Sequence, residues 1–324
     1  MGKTTVRSHY LPQTYLKHFL LNDELVMYKK GEKFFSEDIT PSQRTLSVKG
    51  EQALSNIGLE NNLYNPGING LDSNSLEDIF NDYGESTYNE LIQSLESLPL
   101  ECVIPLDIKD KLCIFMAAMR VRTPQFKQEI ENMDETFGKH FMSHQFGSMT
   151  PEEMVDFNKR ELKKDITIDM AKIIIELFSN KNYELKYPNG FFIKMALLML
   201  NHHADIFYQM TMNIFQSNNR YFITSDNPVV FFVPPDKVNF YNAPRSLVSY
   251  YSELFFPISK NPGVTFNWRK GEEKITKAGR EIVDIFNYNV SHNSFDFIFS
   301  PMKMNSLNIF TQKFIPYPFK ITVS

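Results

Sequence analysis

The sequence predicts an α+β protein, with a mainly helical first two thirds packed on a mixed or antiparallel sheet formed mostly by residues 212–300. Three observations carry this. Between about residues 75 and 209, apolar residues recur at helical spacing. From Met212 onward, strand-like runs alternate with turn signals. No long or flexible linker separates the two regions, so the 324 residues read as one domain, helical at about 75–209 and sheet-rich at about 210–324.

The elements follow in order. Pro12 opens a short helix through about Leu21, its fixed φ suiting the first helical position. Leu25 to Lys30 reads as a strand, with Gly31 as a turn and a hairpin continuing to Phe35. Residues 36–74 carry Pro41, Gly50, Gly58, Pro66, Gly67 and Gly70, and read as a long loop or several short elements. Ser75 caps a helix through about Ser97, with Asp78 at its third position. The helical pattern from about Asp107 to Gln145 is kinked or split at Pro124. Thr150 caps a helix that begins at Pro151, and further helices cover about 167–178 and 190–209. The last of these holds the longest apolar run, Phe191 to Leu200, interrupted by Lys194. A membrane span needs about 20 apolar residues, so this helix is expected in the core and no membrane partner is expected. Met212–Gln216 and Arg220–Thr224 read as a hairpin around Ser-Asn-Asn. Val229–Val233, Leu254–Ile258, Val264–Trp268 and Phe295–Phe299 are further strands, with a helix at about Thr276–Asn289. The early strand at 25–30 is a candidate to join the same sheet.

Composition narrows the function classes. Charged residues make up 22% and hydrophobic residues 42%, which are globular values. The 29 Phe and 15 Tyr predict a well-filled aromatic core. A net charge of −4 leaves no basic surplus, so any nucleic-acid contact has to be local. Two cysteines, Cys102 and Cys113, do not make a disulfide framework and point to a reduced, cytosolic setting. The opening Met-Gly-Lys-Thr-Thr-Val-Arg has no apolar stretch of the signal-peptide kind.

Three stretches carry chemistry. Thr224-Ser-Asp-Asn-Pro-Val229 lies between two predicted strands. Ser225, Asp226 and Asn227 followed by Pro228 make a well-specified corner, because Asp closes Asx-turns and Pro forces its predecessor extended. The end of a strand is also a rigid place to present polar groups, and Asp226 is placed to orient His9, to pair with Arg122 or to hold a divalent metal. Near the start, His9 and Tyr10 precede a helix and Gln13 lies in its first turn, where a proton-moving imidazole and an anion-favouring helix end coincide. Docking of an N-terminal arm explains the same residues without chemistry. On the central helix, Arg122 continues the stripe of Leu112, Phe115, Met116 and Met119, and Arg120 borders it. A core-facing guanidinium requires either an internal acid or an anionic ligand. His140 with His144, and His202 with His203, lack the further ligands of a metal site. No GxGxxG, GxxxxGK[ST], GxSxG or CxxC is present.

His9-Tyr-Leu-Pro-Gln13, Arg122-Thr-Pro124 and Thr224-Ser-Asp-Asn-Pro-Val229 together resemble the bacterial family called domain of unknown function 4238. Weaker echoes are Val26-Met-Tyr28, Glu85, Phe256-Pro-Ile-Ser259 and Asn287. The resemblance implies one bacterial, cytosolic domain in which His9, Gln13, Arg122, Asp226 and Asn227 belong to one pattern. It names no substrate; a toxin or anti-phage role suits such a family.

Two expectations follow. In the first, the protein is a hydrolase of a phosphodiester or other anionic substrate, a nucleic acid or a nucleotide. His9 and Asp226 are then catalytic, and Tyr10, Gln13, Arg122, Ser225 and Asn227 bind substrate. In the second, the same residues form a buried network in a non-catalytic module that binds a ligand or protein elsewhere.

Overall fold

The computed structural model describes residues 7–29, 45–49, 54–61, 79–185, 189–233 and 247–307, and its fold is α+β. The short helix α1 (Gln13–Leu16) runs into a 3₁₀ turn at Lys17–Phe19. Pro12 stands at its cap with extended backbone, one position earlier than expected. A single π turn at Asn81–Glu85 precedes α2 (Tyr88–Ser97). The long central pattern is divided into α3 (Leu106–Val121) and α4 (Pro124–Phe146). Pro124 supplies the first-turn φ of α4, and the Thr123 hydroxyl accepts from the Phe126 N–H at 3.2 Å. Thr150 and Glu153 close a capping box on α5 (Pro151–Phe157), and Thr167 caps α6 (Ile168–Ser179). Helices α7 (Asn189–Gln209) and α8 (Arg280–Asn293) complete the helical set among the described residues.

The core is centred where α3 packs along α7. Leu112, Phe115, Met116 and Met119 from α3 meet Phe192, Ile193, Leu200 and Phe207 from α7. Among the described residues, no helix is long and apolar enough to cross a membrane.

Two larger sheets lie against these helices. The first has the order β10-β5-β9-β8-β7, built from β5 (Thr211–Gln216), β7 (Val230–Phe232), β8 (Glu253–Pro257), β9 (Pro262–Asn267) and β10 (Ile275–Lys277). Its pairs are antiparallel except β10 with β5. The second has the order β3-β2-β11-β6, built from β2 (Glu24–Lys29), β3 (Thr45–Lys49), β6 (Thr224–Ser225) and β11 (Phe297–Ser300). The early strand therefore joins a sheet, but the smaller one. β1 (Arg7–His9) pairs with β4 (Leu59–Asn61) as a separate ribbon.

Two expected elements differ. Residues 220–224 do not form a hairpin with β5. The Phe222 N–H donates to Lys260 O at 2.9 Å, and the Asn287 side chain takes the Ile223 N–H at 3.0 Å while donating to Tyr221 O at 3.0 Å. One amide side chain thus replaces a neighbouring strand, and the chain crosses from one sheet to the other. The late helix begins at Arg280 rather than Thr276, because 275–277 is held as strand: Ile275 N–H reaches Cys102 O at 3.1 Å, and the next residue's N–H, on Ala278, reaches Gln216 O at 2.7 Å. The expected hairpin at 30–35, the Ser75 cap and most of 36–74 lie outside the described residues.

Candidate functional site

Arg122 closes α3 as its C-cap residue and is only 3% exposed. Its guanidinium pairs with the Glu85 carboxylate, donates to His9 O at 2.5 Å and lies 4.8 Å from the centroid of Phe80. The internal acid expected for a core-facing arginine is therefore Glu85, contributed by the π turn, and not Asp226. The contact ties β1 to the end of α3, which is what a docked N-terminal arm requires.

Asp226 follows β6 and is 1% exposed. One carboxylate oxygen accepts from Phe295 N–H at 2.8 Å; the other accepts from Asp296 N–H at 2.5 Å and Phe297 N–H at 2.8 Å. The Asp226 N–H in turn donates to Phe297 O at 3.1 Å. This carboxylate organises the link between α8 and β11. Burial pushes its carboxyl up to about 7, against the three N–H donors, which favour the charged form; the neighbouring Asp296 adds to the upward push. Its hydrogen bonds among the described residues are to the 295–297 backbone, and neither His9 nor Arg122 is a partner. Among the described residues, no group of His, Cys, Asp and Glu is arranged to hold a metal ion.

The rest of the late stretch is similarly engaged. Ser225 Oγ donates to Asn227 O at 2.9 Å and accepts the Asn227 N–H at 3.2 Å, a local turn bond rather than a substrate contact. Asn227 Nδ2 donates to Asn293 O at 2.9 Å, tying the corner to the end of α8, while its buried Oδ1 has no partner among the described residues. Thr224 meets the Tyr15 hydroxyl at 2.6 Å, and that hydroxyl donates to Pro257 O at 2.8 Å. Tyr88 OH donates to Ile258 O at 2.5 Å. Tyr15, Tyr88, Phe115 and Phe256 pack ring against ring, with Tyr88 stacked on Phe115 at 4.1 Å. Burial holds both phenols protonated, well above their usual range.

His9 and Gln13 are the most accessible members of the early stretch. Gln13 is exposed, and its Nε2 lies 3.4 Å from His9 Nε2. His9 Nδ1 is buried without a partner among the described residues. Tyr10 is 5% exposed, and its N–H donates to Gly58 O at 2.8 Å. Gly58 has φ +66°, and a Cβ there would stand 2.7 Å from Leu11 Cβ, so only glycine fits the approach. Tyr10, Pro124 and residues 295–297 line one shallow cleft of about 470 Å³ with Lys127 and Glu131. The three stretches therefore meet through backbone and neighbouring residues, and His9, Arg122 and Asp226 do not form one hydrogen-bonded set.

Tyr15, Tyr88 and the paired use of Asn287 were not singled out from sequence spacing. Tyr15 stands two residues beyond Gln13, so a buried role for the phenol was available from the helical repeat. An open groove lies elsewhere, beside α8. It measures about 570 Å³ and is lined by Arg220, Tyr221, Arg280, Asp284, Tyr288 and Met302, among others. Asp284 holds both cations, Arg220 at 3.0 Å and Arg280 at 3.4 Å, and Tyr288 is exposed.

A family model described as "Protein of unknown function (DUF4238)" matches residues 7–303. No curated protein and no solved structure matches the chain.

Proposed function

Because the chain belongs to the DUF4238 family, whose function is unassigned, we propose from its own geometry that it is a non-catalytic binding module. The three family stretches act as its internal latch. The observation that supports this reading is the state of Asp226: the residue is 1% exposed and both its oxygens accept backbone N–H groups, so it has no face open to a substrate. Arg122 is likewise committed to Glu85 and to the His9 carbonyl.

Binding is assigned to the groove beside α8. Arg220 and Arg280 share one aspartate, so the pair keeps one net positive charge to meet an anionic group. Tyr221 and Tyr288 offer flat apolar surface beside them. The ligand class that fits is a small planar anion, with mononucleotides as its simplest probes.

Thermal-shift titration with adenosine monophosphate tests this. The wild type should gain Tm with ligand, and the Arg220→Ala/Arg280→Ala variant should not. A Tm unmoved by adenosine monophosphate in the wild type removes the groove assignment. Hydrolysis of a nucleotide or nucleic acid that disappears in His9→Ala with the fold intact overturns the non-catalytic reading.

A further inference from the structure

Strand β7 ends on Phe232, which stands directly opposite Glu253 at the start of β8. Side chains two apart on a strand share a face, so Phe255 joins them. Helix α8 packs against both strands. Its rows at intervals of four residues divide its surface. Arg280, Asp284 and Tyr288 line both the groove of about 570 Å³ and a second hollow of about 770 Å³. Glu281, Ile285 and Asn289 line only the second, together with Phe232, Glu253 and Phe255. The rings of Phe232 and Phe255 stand at 74° with centroids 6.2 Å apart. Phe255 is braced edge-to-face by the buried Phe286 at 5.0 Å, so the core fixes this wall. Tyr288 adds a third ring from the helix. The lining carries three carboxylates, Glu253, Glu281 and Asp284, to one guanidinium, Arg280, which Asp284 holds at 3.4 Å. Glu253 pairs with Arg269, and Glu281 has no ion pair among the described residues.

We propose that this second hollow is a binding site for a small quaternary ammonium ion. Aromatic rings attract a cation over their faces, and rings set nearly at right angles do so from two sides. A quaternary ammonium ion presents methyl groups and no N–H, so it contacts rings and the Ile285 side chain without leaving a hydrogen bond unmade. Glu281 and Glu253 supply the opposite charge. A primary ammonium brings three N–H donors that ring faces do not satisfy as a carboxylate or water does. An anion in the same place meets two carboxylates. The two hollows of α8 are therefore assigned ligands of opposite charge, and the cation site does not rest on the anion site.

Choline chloride is the probe, titrated into the full chain by calorimetry and by thermal shift. Sodium chloride and ammonium chloride at equal concentration are the controls. Choline should raise Tm saturably, and neither control should. Phe232→Leu removes a ring and keeps an apolar side chain; it should weaken choline binding about fivefold. Glu281→Gln should weaken it about threefold. Glu281 is exposed in the first turn of α8, so its variant keeps the fold and carries the test if Phe232→Leu unfolds. Neither residue lines the groove of about 570 Å³, so the response to adenosine monophosphate should not change in either variant. A wild-type Tm that choline moves no more than sodium chloride does overturns the proposal. So does an equal response to ammonium, which assigns the effect to the carboxylates alone, and so does choline binding that both variants leave intact.

Discussion

Two buried polar clusters in this fold treat their charges in opposite ways. Around Asp226, both carboxylate oxygens are met by three backbone N–H groups. Around Arg120, the guanidinium pairs with Glu129 and lies between the rings of Phe126 and Phe231, with centroids at 5.3 and 4.9 Å. Among the described residues its Nε and Nη1 are nevertheless buried without a hydrogen-bond partner, and so is Nδ1 of His203 nearby. Burial first, and the Arg120 charge second, push the His203 imidazole down to about 3, so it is held neutral. Backbone donors saturate a carboxylate because three consecutive N–H groups can curl around two oxygens. A five-donor guanidinium needs several acceptors, and aromatic faces supply attraction without accepting the edge N–H groups. A saturated cluster specifies a unique geometry, whereas a partly satisfied one costs stability.

The largest expected effect comes from emptying the saturated cluster. Asp226→Ala leaves three buried N–H groups without an acceptor and should cost about 4 kcal/mol in urea unfolding. A loss below about 1 kcal/mol removes the latch from the account. Next, Glu85→Ala strips Arg122 of its carboxylate and should cost about 3 kcal/mol, with Glu85→Gln costing less. An equal loss in the two variants would mean that charge has no part in the contact.

The pH dependence separates the clusters by sign. Asp226 is raised from 3.8 to about 7 on folding, so its contribution is fully present below pH 3.8 and is lost as pH rises towards 7. His203 is lowered from 6.5 to about 3, so its contribution is present above pH 6.5 and is lost as pH falls towards 3. Each slope is about 1.4 kcal/mol per pH unit at most, and the two oppose one another between pH 4 and 6.5. Unfolding free energies measured across pH 4–7 should therefore tilt oppositely in Asp226→Asn and His203→Gln. Parallel curves for the two variants would break the comparison. The smallest effect belongs to the unsaturated cluster: Arg120→Met removes the two orphaned nitrogens and keeps the stem but also strands Glu129, which retains Gln125, so the net change should stay within about 1 kcal/mol in the same assay.

Much of the fold was legible because its signals are local. Thr150 and Thr167 start helices by satisfying N–H groups a few residues away, where the sequence places them, and the long central pattern splits at Pro124. The apolar stripe of α3 points inward as its spacing demands. The candidate site was legible as a set of residues and not as an arrangement. That Asp226 belongs with the 295–297 backbone depends on a partner 69 to 71 residues away. Arg122 meets Glu85 across 37 residues, and Asn287 replaces a strand for residues 64 and 66 positions earlier.

The sequence by itself determined the class of the fold, the helix starts at Thr150 and Thr167, the inward face of α3 and the requirement that Arg122 find an acid or an anionic ligand. Each of these follows from contacts within a turn or two, or from the cost of an isolated charge in a core. Tertiary structure alone decided which partner each polar group took. It separated His9 from Asp226 and moved residues 220–224 out of a hairpin. Hydrogen bonds between distant segments are chosen by how the layers pack. Residue type sets only what each group can donate or accept.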